Sequence, residues 1–452
     1  MSLANGVNPL QRFFRLRQGE VGLVFVMGLV LFMNALAQQV SEITAISNFL
    51  SEGGVNQILV VWAVDSVMIL LTMGVQSLIV DRFGRISLVS WLIFVFAIAF
   101  FLMRWLYSSG APEWLIYALL YLLATQQLVF FPMIFWILAN DIFDVAQATR
   151  LFPLITSFGF MGKLLGIGVS LAVPSLKDTL SFFRPEGLLM LEAIIYLVTY
   201  LLFFLGMRKV KIRQTSQVHE TVKETLTEGW AFVREVPAFK FLALSIMMLL
   251  ACDVAVEFRF LVVSDQVYTD PSRYQVFYAL YRLGLTVASI LIQSLLTSRI
   301  IAHLNIKNSF LVKPIGVLLG SIWVFVQANL MGAVGGALML RLTQYTIDEP
   351  TRKAFQSLVP EERRGRVSIF MESYLYFLGT LLGCLGVGAI VFAGIRLGFA
   401  NYSQIYLGLS ILGAIISIWA ILKMRRVYDS SLLNWRLKRR QRGKSVLDRL
   451  EF

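Results

Sequence analysis

The sequence predicts an all-α membrane protein of twelve transmembrane helices in two six-helix bundles, and three observations predict it. Hydrophobic residues make up 58% of the 452-residue chain and charged residues only 15%, against about 25% charged in an ordinary soluble domain. The apolar runs are too long for helices buried in a soluble core. The bases collect in alternate loops, as they do when a chain crosses a membrane repeatedly.

Taken in order, the runs predict spans at 20–47, 56–80, 86–107, 113–139, 151–174 and 187–207 in the first half. The second half gives 238–264, 273–298, 309–328, 331–349, 368–395 and 403–424. Several exceed the roughly 20 residues needed to cross, so they tilt or run beyond the lipid. The outer loops hold only Lys177, Arg184, Arg273 and Arg396, while the other loop bases fall in the N-tail, the even-numbered loops, the central connector and the C-tail. That bias places both termini in the cytoplasm and fits a cell (inner) membrane. Arg12, Arg15 and Arg17 precede a run without a small-residue cleavage site, so no signal peptide is expected.

The domains expected are a bundle at 1–207, a connector at 208–237, a second bundle at 238–424 and a basic tail at 425–452. The connector opens RKVKIR and then sets Val218, Val222, Leu226, Trp230 and Val233 at helical spacing. It reads as an amphipathic helix on the inner membrane face, or as a tether between bundles. The tail carries Trp435 and Leu437 among its charges. Anionic lipid explains both segments, and the net charge of +13, more economically than nucleic acid does. A monomer is expected.

The two halves are related. Gly162 and Gly166 recur as Gly379 and Gly383 at an offset of 217 residues, and at the same offset Asp65 in span two meets Arg282 in span eight. Glycines at i and i+4 let another helix approach closely. Six-span halves in parallel repeat are the mark of the major facilitator architecture. The loop DRFGR, Asp81 to Arg85, is similar to that superfamily's signature between spans two and three, with Ser77 in place of the leading glycine.

The stretch from Phe135 to Gly168 joins an apolar run, a polar turn with Asp141, Asp144 and Arg150, and a second run around Lys163. With its FW-x-x-AN turn and A-x-R before an aromatic (Phe135, Trp136, Ala139, Asn140, Ala148, Arg150, Phe152), it resembles the nonmitochondrial ATP/ADP carrier family, a branch of major facilitator-like proteins. The later turn EPTRKAFQSLVPEERRGRVSIFMES also resembles that family, at Pro350, Arg352, Pro360, Arg364, Arg366 and Glu372. The resemblance covers the twelve spans loosely and the two turns well. It implies the fold and transport more strongly than ATP as cargo. The family's bases late in span one are replaced here by Asn34, Gln38 and Glu42 on one helix face, and Ser368 stands for one of the alternating bases.

Ionisable residues inside the membrane are functional candidates. Arg104 and Lys313 lie near span ends and are expected to snorkel. Glu192 and Arg341 are deeper, and Arg341 is expected in a structural ion pair. Asp253 and Glu257 share one face of span seven, with Arg259 half a turn on, and are expected to face the cavity or its outer mouth. In the architecture resembled, spans two, five, eight and eleven line the contact between halves. Lys163 and Arg282 would then face one cleft and bind an anion, or each would pair with an acid of its own half. Asp65, Glu42 and Glu257 are each a candidate proton carrier or a salt-bridge partner. The substrate-site candidates are Lys163, Arg282, Asp65, Gln38, Glu42, Asp253 and Glu257, with Gly162, Gly166, Gly379 and Gly383 at helix contacts.

No catalytic residue, metal or cofactor is expected. Cys252 and Cys384 lie inside apolar runs and His219 and His303 in polar connectors, without metal-ligand spacing. There is no Walker-type glycine loop and so no sign of an ATP-driven pump. The function expected is a secondary transporter of a small anionic solute, a nucleotide or another phosphorylated or organic anion, working by alternating access. The alternatives are a proton-coupled transporter of a non-nucleotide solute, or a non-transporting sensor or scaffold with the same fold.

Overall fold

The structure, a computed structural model, describes residues 20–79, 83–208, 236–356, 370–399 and 401–447, with single positions 210, 230, 234 and 367. Most of the connector lies outside these residues, as do Asp81 and Arg82 of the DRFGR loop and Pro360, Arg364 and Arg366 of the later family-like turn.

The helices are α1 (Glu20–Gly53), α2 (Ile58–Ile79), α3 (Arg85–Ser108), α4 (Glu113–Leu128), α5 (Phe130–Ile142), α6 (Val145–Leu176) and α7 (Pro185–Met207). They continue as α8 (Pro237–Val267), α9 (Pro271–Ile292), α10 (Ser298–Leu304), α11 (Ile306–Ser309), α12 (Val312–Val326), α13 (Leu330–Thr343), α14 (Glu349–Gln356), α15 (Leu375–Leu397) and α16 (Tyr402–Leu447). Among the described residues, eleven helical segments are long and apolar enough to cross a membrane. The stretch between the ninth and tenth of these is α13, which runs through a π turn, Gln344–Asp348, into α14. The protein is thus an all-α integral membrane protein.

The ends of the helices follow local rules. Gly54 and Gly398 take φ of 80° and 70°, a backbone region open chiefly to glycine, and stop α1 and α15 there. α6 begins with a capping box. The Gln147 amide donates to Asp144 Oδ1 at 2.7 Å, and the Asp144 amide donates to Gln147 Oε1 at 3.1 Å. Asp144, which the sequence offers only as an acid in a polar turn, is therefore a helix cap. α16 continues well past the predicted end of the last span, because a helix satisfies its own backbone bonds in water as in lipid.

The chain forms two compact units. The first comprises Met1–Gly54, Gly74–His219 and Tyr268–Leu283, and the second Val55–Met73, Glu220–Val267 and Gly284–Phe452. Most of α2 therefore belongs with second-half helices, and the start of α9 with first-half helices. In the first unit α1 packs on α6 and α4, and α3 on α7. In the second unit α8 packs on α15 and α16, and α12 on α13. Large apolar side chains such as Trp91, Trp105, Leu205, Met331 and Leu397 are exposed on the outer faces. A helix with lipid as its outer neighbour has no reason to hide them.

The glycine pairs set the tightest of these contacts. A Cβ at Gly162 would lie 2.1 Å from the Phe32 carbonyl oxygen of α1, and one at Gly166 2.6 Å from that of Leu36. In the second unit a Cβ at Gly379 would meet Leu250 Cβ at 2.7 Å, and one at Gly383 would meet Val254 Cβ at 2.9 Å, both on α8. The repeat thus brings two glycines of α6 against α1 and two of α15 against α8, with backbones close enough to exclude any side chain.

Candidate functional site

α1 carries the polar groups of the first unit. They stand on one long face because Asn34, Gln38 and Glu42 recur every four residues, with Gln39 and Ser41 beside them. Asn34 Nδ2 donates to the Gln127 carbonyl at 3.0 Å, Gln127 Nε2 to Tyr196 Oη at 2.9 Å, and Tyr196 Oη to Asn34 Oδ1 at 2.8 Å. This closed triangle ties α1, α4 and α7 together and satisfies buried polar groups mutually.

One turn on, three donors converge on a single carboxylate oxygen, Glu42 Oε2. Arg282 Nη2 of α9 reaches it at 2.6 Å, Gln38 Nε2 at 2.8 Å and Gln39 Nε2 at 3.3 Å. Arg282 is buried, so its charge is compensated by this pair rather than by water. The candidates Gln38, Glu42 and Arg282 are therefore together. Lys163 stands half-buried on α6, beside Gly162.

At the ends of α3 and α6, Arg85 pairs with Asp141, and Arg150 Nη2 pairs with Glu20 Oε1 at 2.5 Å. Gln147 Nε2 donates to the same Glu20 oxygen at 3.1 Å. Arg85 of the DRFGR loop and Arg150 of the family-like turn thus hold helix ends within the first unit. Arg104 donates to the Glu186 carbonyl at 3.1 Å.

In the second unit Lys313 Nζ donates to Asp253 Oδ2 at 3.0 Å, and Arg341 Nε to Glu257 Oε2 at 3.1 Å. The snorkelling expected of Lys313 is corrected here. The residue is 3% exposed, because a buried acid faces it across α12 and α8 and compensates its charge in place. Asp253 Oδ1 is buried without a hydrogen bond. Asp65 of α2 is 3% exposed and lies in the electrostatic neighbourhood of Tyr376 and Cys384 on α15. Asp348 of the π turn pairs with Arg352 at 3.0 Å.

Two features escaped the sequence. Gln39 was overlooked because the i, i+4 face names Gln38 and Glu42 first, and an adjacent residue reaches the same carboxylate only in three dimensions. The second feature is a narrow cleft in the first unit, where Glu192 of α7 accepts from Ser41 Oγ at 2.8 Å. Among the described residues no group of three or more His, Cys, Asp or Glu is placed to hold a metal.

Comparison with known proteins agrees with this architecture. Over 90% of its length the chain superposes on 99% of the nucleoside transporter NupG, with a TM-score of 0.58 and 14% identity. It matches the POT family transporter PepTSo at a TM-score of 0.61 and 11% identity, covering 89% of this chain and 98% of that one. A bacterial homologue of the iron transporter ferroportin in an inward-facing state gives 0.59 and 15% identity, over 90% of this chain and 98% of that one. At such identities the likeness is one of fold. No curated protein matches the chain in sequence. The family model described as TLC ATP/ADP transporter matches residues 102–346, more than half of the chain, and with the two family-like turns and the fold already in place the protein belongs to the TLC ATP/ADP transporter family, a secondary transporter of a small solute and not an enzyme.

Proposed function

We propose that the solute is an anion, of the nucleotide, phosphorylated-metabolite or organic-acid class, and that it takes the place of the Glu42 carboxylate at Arg282. The single observation that carries this is the convergence of three donors, one of them a guanidinium, on Glu42 Oε2. An oxygen that accepts from Arg282, Gln38 and Gln39 has the hydrogen-bond pattern of a phosphate or carboxylate oxygen, so Glu42 acts as an internal stand-in for the cargo. Arg282 can hold a carboxylate or phosphate through two parallel bonds, and Lys163 offers a more mobile second charge.

Exchange of an internal acid for an external one makes transport conditional. With Glu42 on Arg282 the buried charge is compensated and the empty protein can change state. With the anion there, Glu42 is released and α1 is free to shift. Only such a difference in affinity between states lets a ligand move a conformational equilibrium. The glycine contacts of α6 on α1, and of α15 on α8, serve in this reading as surfaces along which helices slide. Asp253 and Glu257 neutralise Lys313 and Arg341 and keep the second unit's core charge-balanced, and Asp65 is a further candidate in that unit.

We place both termini in the cytoplasm of a cell (inner) membrane, with anionic lipid at the basic connector and at the end of α16, in a monomer. The loop-charge bias supports this placement.

The test is a thermal-stabilisation screen of the purified protein with ATP, ADP, inorganic phosphate, phosphorylated sugars, dicarboxylates and neutral nucleosides. A ligand that binds the folded state raises its unfolding temperature by mass action. One anion class should stabilise the wild type and fail to stabilise Arg282→Gln. Stabilisation by a neutral nucleoside alone would overturn the anionic reading.

A further inference from the structure

Glu192 differs from Glu42, Asp253 and Glu257, each of which holds a base. Its side chain is 2% exposed in α7, and its hydrogen bond comes from a neutral hydroxyl, Ser41 Oγ at 2.8 Å. Among the described residues no Lys, Arg or His pairs with it. The groups from the helices packed around it are Ser41 and Thr44 of α1, Tyr107 of α3, Tyr117 of α4 and Tyr196 along α7 itself. Arg104, the base on α3, is engaged with the Glu186 carbonyl. Tyr107 Oη donates to Glu113 Oε1 at 3.4 Å, and Glu186 and Glu52 are further acids near Tyr107.

A second observation comes from the cleft. Its lining includes Thr44, Tyr107, Tyr117, Pro185 and Glu192. Tyr107 lies in the last turn of α3, Tyr117 near the start of α4 and Pro185 at the start of α7, so the cleft sits at the helix ends that flank residues 109–112 and 177–184. The loop-charge bias assigns those ends to the outer face. Thr44 Oγ1, in this cleft, is buried and has no hydrogen-bond partner among the described residues. An ionised carboxylate buried without a cation is far less stable than the same group neutral. A neutral acid can accept from Ser41 through one oxygen and carry a proton on the other, beside a narrow cleft lined mainly by apolar side chains such as Ile116, Leu120 and Leu188.

We propose that Glu192 is a proton-carrying site of the first unit, loaded when α1 covers it and emptied when Ser41 moves away and water enters the cleft. In the emptying step the carboxyl O–H bond breaks, the proton goes to water and the carboxylate keeps the electron pair. Ser41 immediately precedes Glu42, so a shift of α1 that releases Arg282 also uncovers Glu192. The proton site itself does not depend on which solute is carried.

The experiment is infrared spectroscopy of the full-length protein in lipid bilayers, titrated with alkali in Na⁺-free and in Na⁺ buffer. Wild type should show the C=O stretch of a neutral carboxylic acid at neutral pH, lost as pH rises. The band should vanish in Glu192→Gln, shift in Glu192→Asp and persist in Glu257→Gln. A companion measurement follows unfolding temperature against pH. A group protonated when folded and ionised when unfolded gives stability that falls as pH rises, and Glu192→Gln should flatten that fall. A neutral-pH spectrum unchanged by Glu192→Gln would overturn the proposal. So would a band that Na⁺ removes without any change in pH, which would make Glu192 a metal-cation site. The part of the band that Glu192→Gln removes from wild type is read against the Glu192→Gln spectrum alone and needs no solute, so failure of the anion reading and failure of this one are separate results.

Discussion

The second unit closes both buried acids of α8 on a base, Asp253 on Lys313 and Glu257 on Arg341, whereas the first unit gathers three donors onto Glu42 and leaves Glu192 to a hydroxyl. The units share a repeated scaffold, down to paired glycines pressed on the opening helix of each half. They differ in what the buried charge can do. A carboxylate held by one base inside a packed core is a fixed structural element. A carboxylate that satisfies several donors at once can be replaced by a solute group of the same shape, and an acid with no base can take and give a proton. The charges related by the repeat, Asp65 of α2 and Arg282 of α9, lie in the second and first unit respectively.

The comparison breaks most directly at the fixed pair. Lys313→Met leaves Asp253 buried without its base, a change that destabilises by about 3–5 kcal/mol. The unfolding temperature in detergent should fall accordingly, and Lys313→Met combined with Asp253→Asn should recover most of the loss. Glu192→Gln, by contrast, should not lower the unfolding temperature at neutral pH, because it removes the loss of stability that ionisation in the unfolded state brings as pH rises. Equal losses in Lys313→Met and Glu192→Gln would erase the distinction between the units.

The glycine contacts sharpen it next. Overpacking a close contact destabilises by about 1–3 kcal/mol. Gly162→Ala should fall at the upper end, because its Cβ would meet the Phe32 carbonyl oxygen at 2.1 Å. Gly383→Ala should lose less, since the nearest atom is a Val254 side-chain carbon at 2.9 Å. Thermal unfolding of the two variants side by side reads the order, and a larger loss at Gly383 would reverse it.

The smallest effect is at the caps. Loss of an N-cap side chain destabilises by about 1 kcal/mol. Asp144→Ala in the first unit removes a two-sided box, and Asn329→Ala in the second a single bond to the Gly332 amide. Amide hydrogen exchange in the first turns of α6 and α13 should rise in both variants, and more for Asp144→Ala.

Much of the fold was legible because lipid imposes simple rules: long apolar runs, bases gathered on one side and glycines where helices touch. Gly162, Gly166, Gly379 and Gly383 could be found by spacing alone. Charge partners could not, because 60 residues of sequence separate Lys313 from Asp253 and 84 separate Arg341 from Glu257. Lys313 reads as a snorkelling base since it stands near a span end, and only the acid on α8 explains why it stays inside. Nor does hydropathy say which unit a span joins, since lipid and a helix neighbour are equally apolar to α2 or α9. Asp144 and Gln147 did carry a readable signal, the spacing of a capping box, which the acids of the same turn obscured. Glu192 was visible only as a deep acid. That no base pairs with it among the described residues is a property of its surroundings.

The central claim is that Glu42 occupies, on Arg282, the place of a transported anion. Titration calorimetry tests it with the anion that stabilises the wild type, on wild type, Glu42→Gln and Arg282→Gln. Removal of the internal competitor should tighten binding in Glu42→Gln, and loss of the guanidinium should abolish it in Arg282→Gln. Wild-type affinity in Arg282→Gln, or weaker binding in Glu42→Gln, would contradict the account.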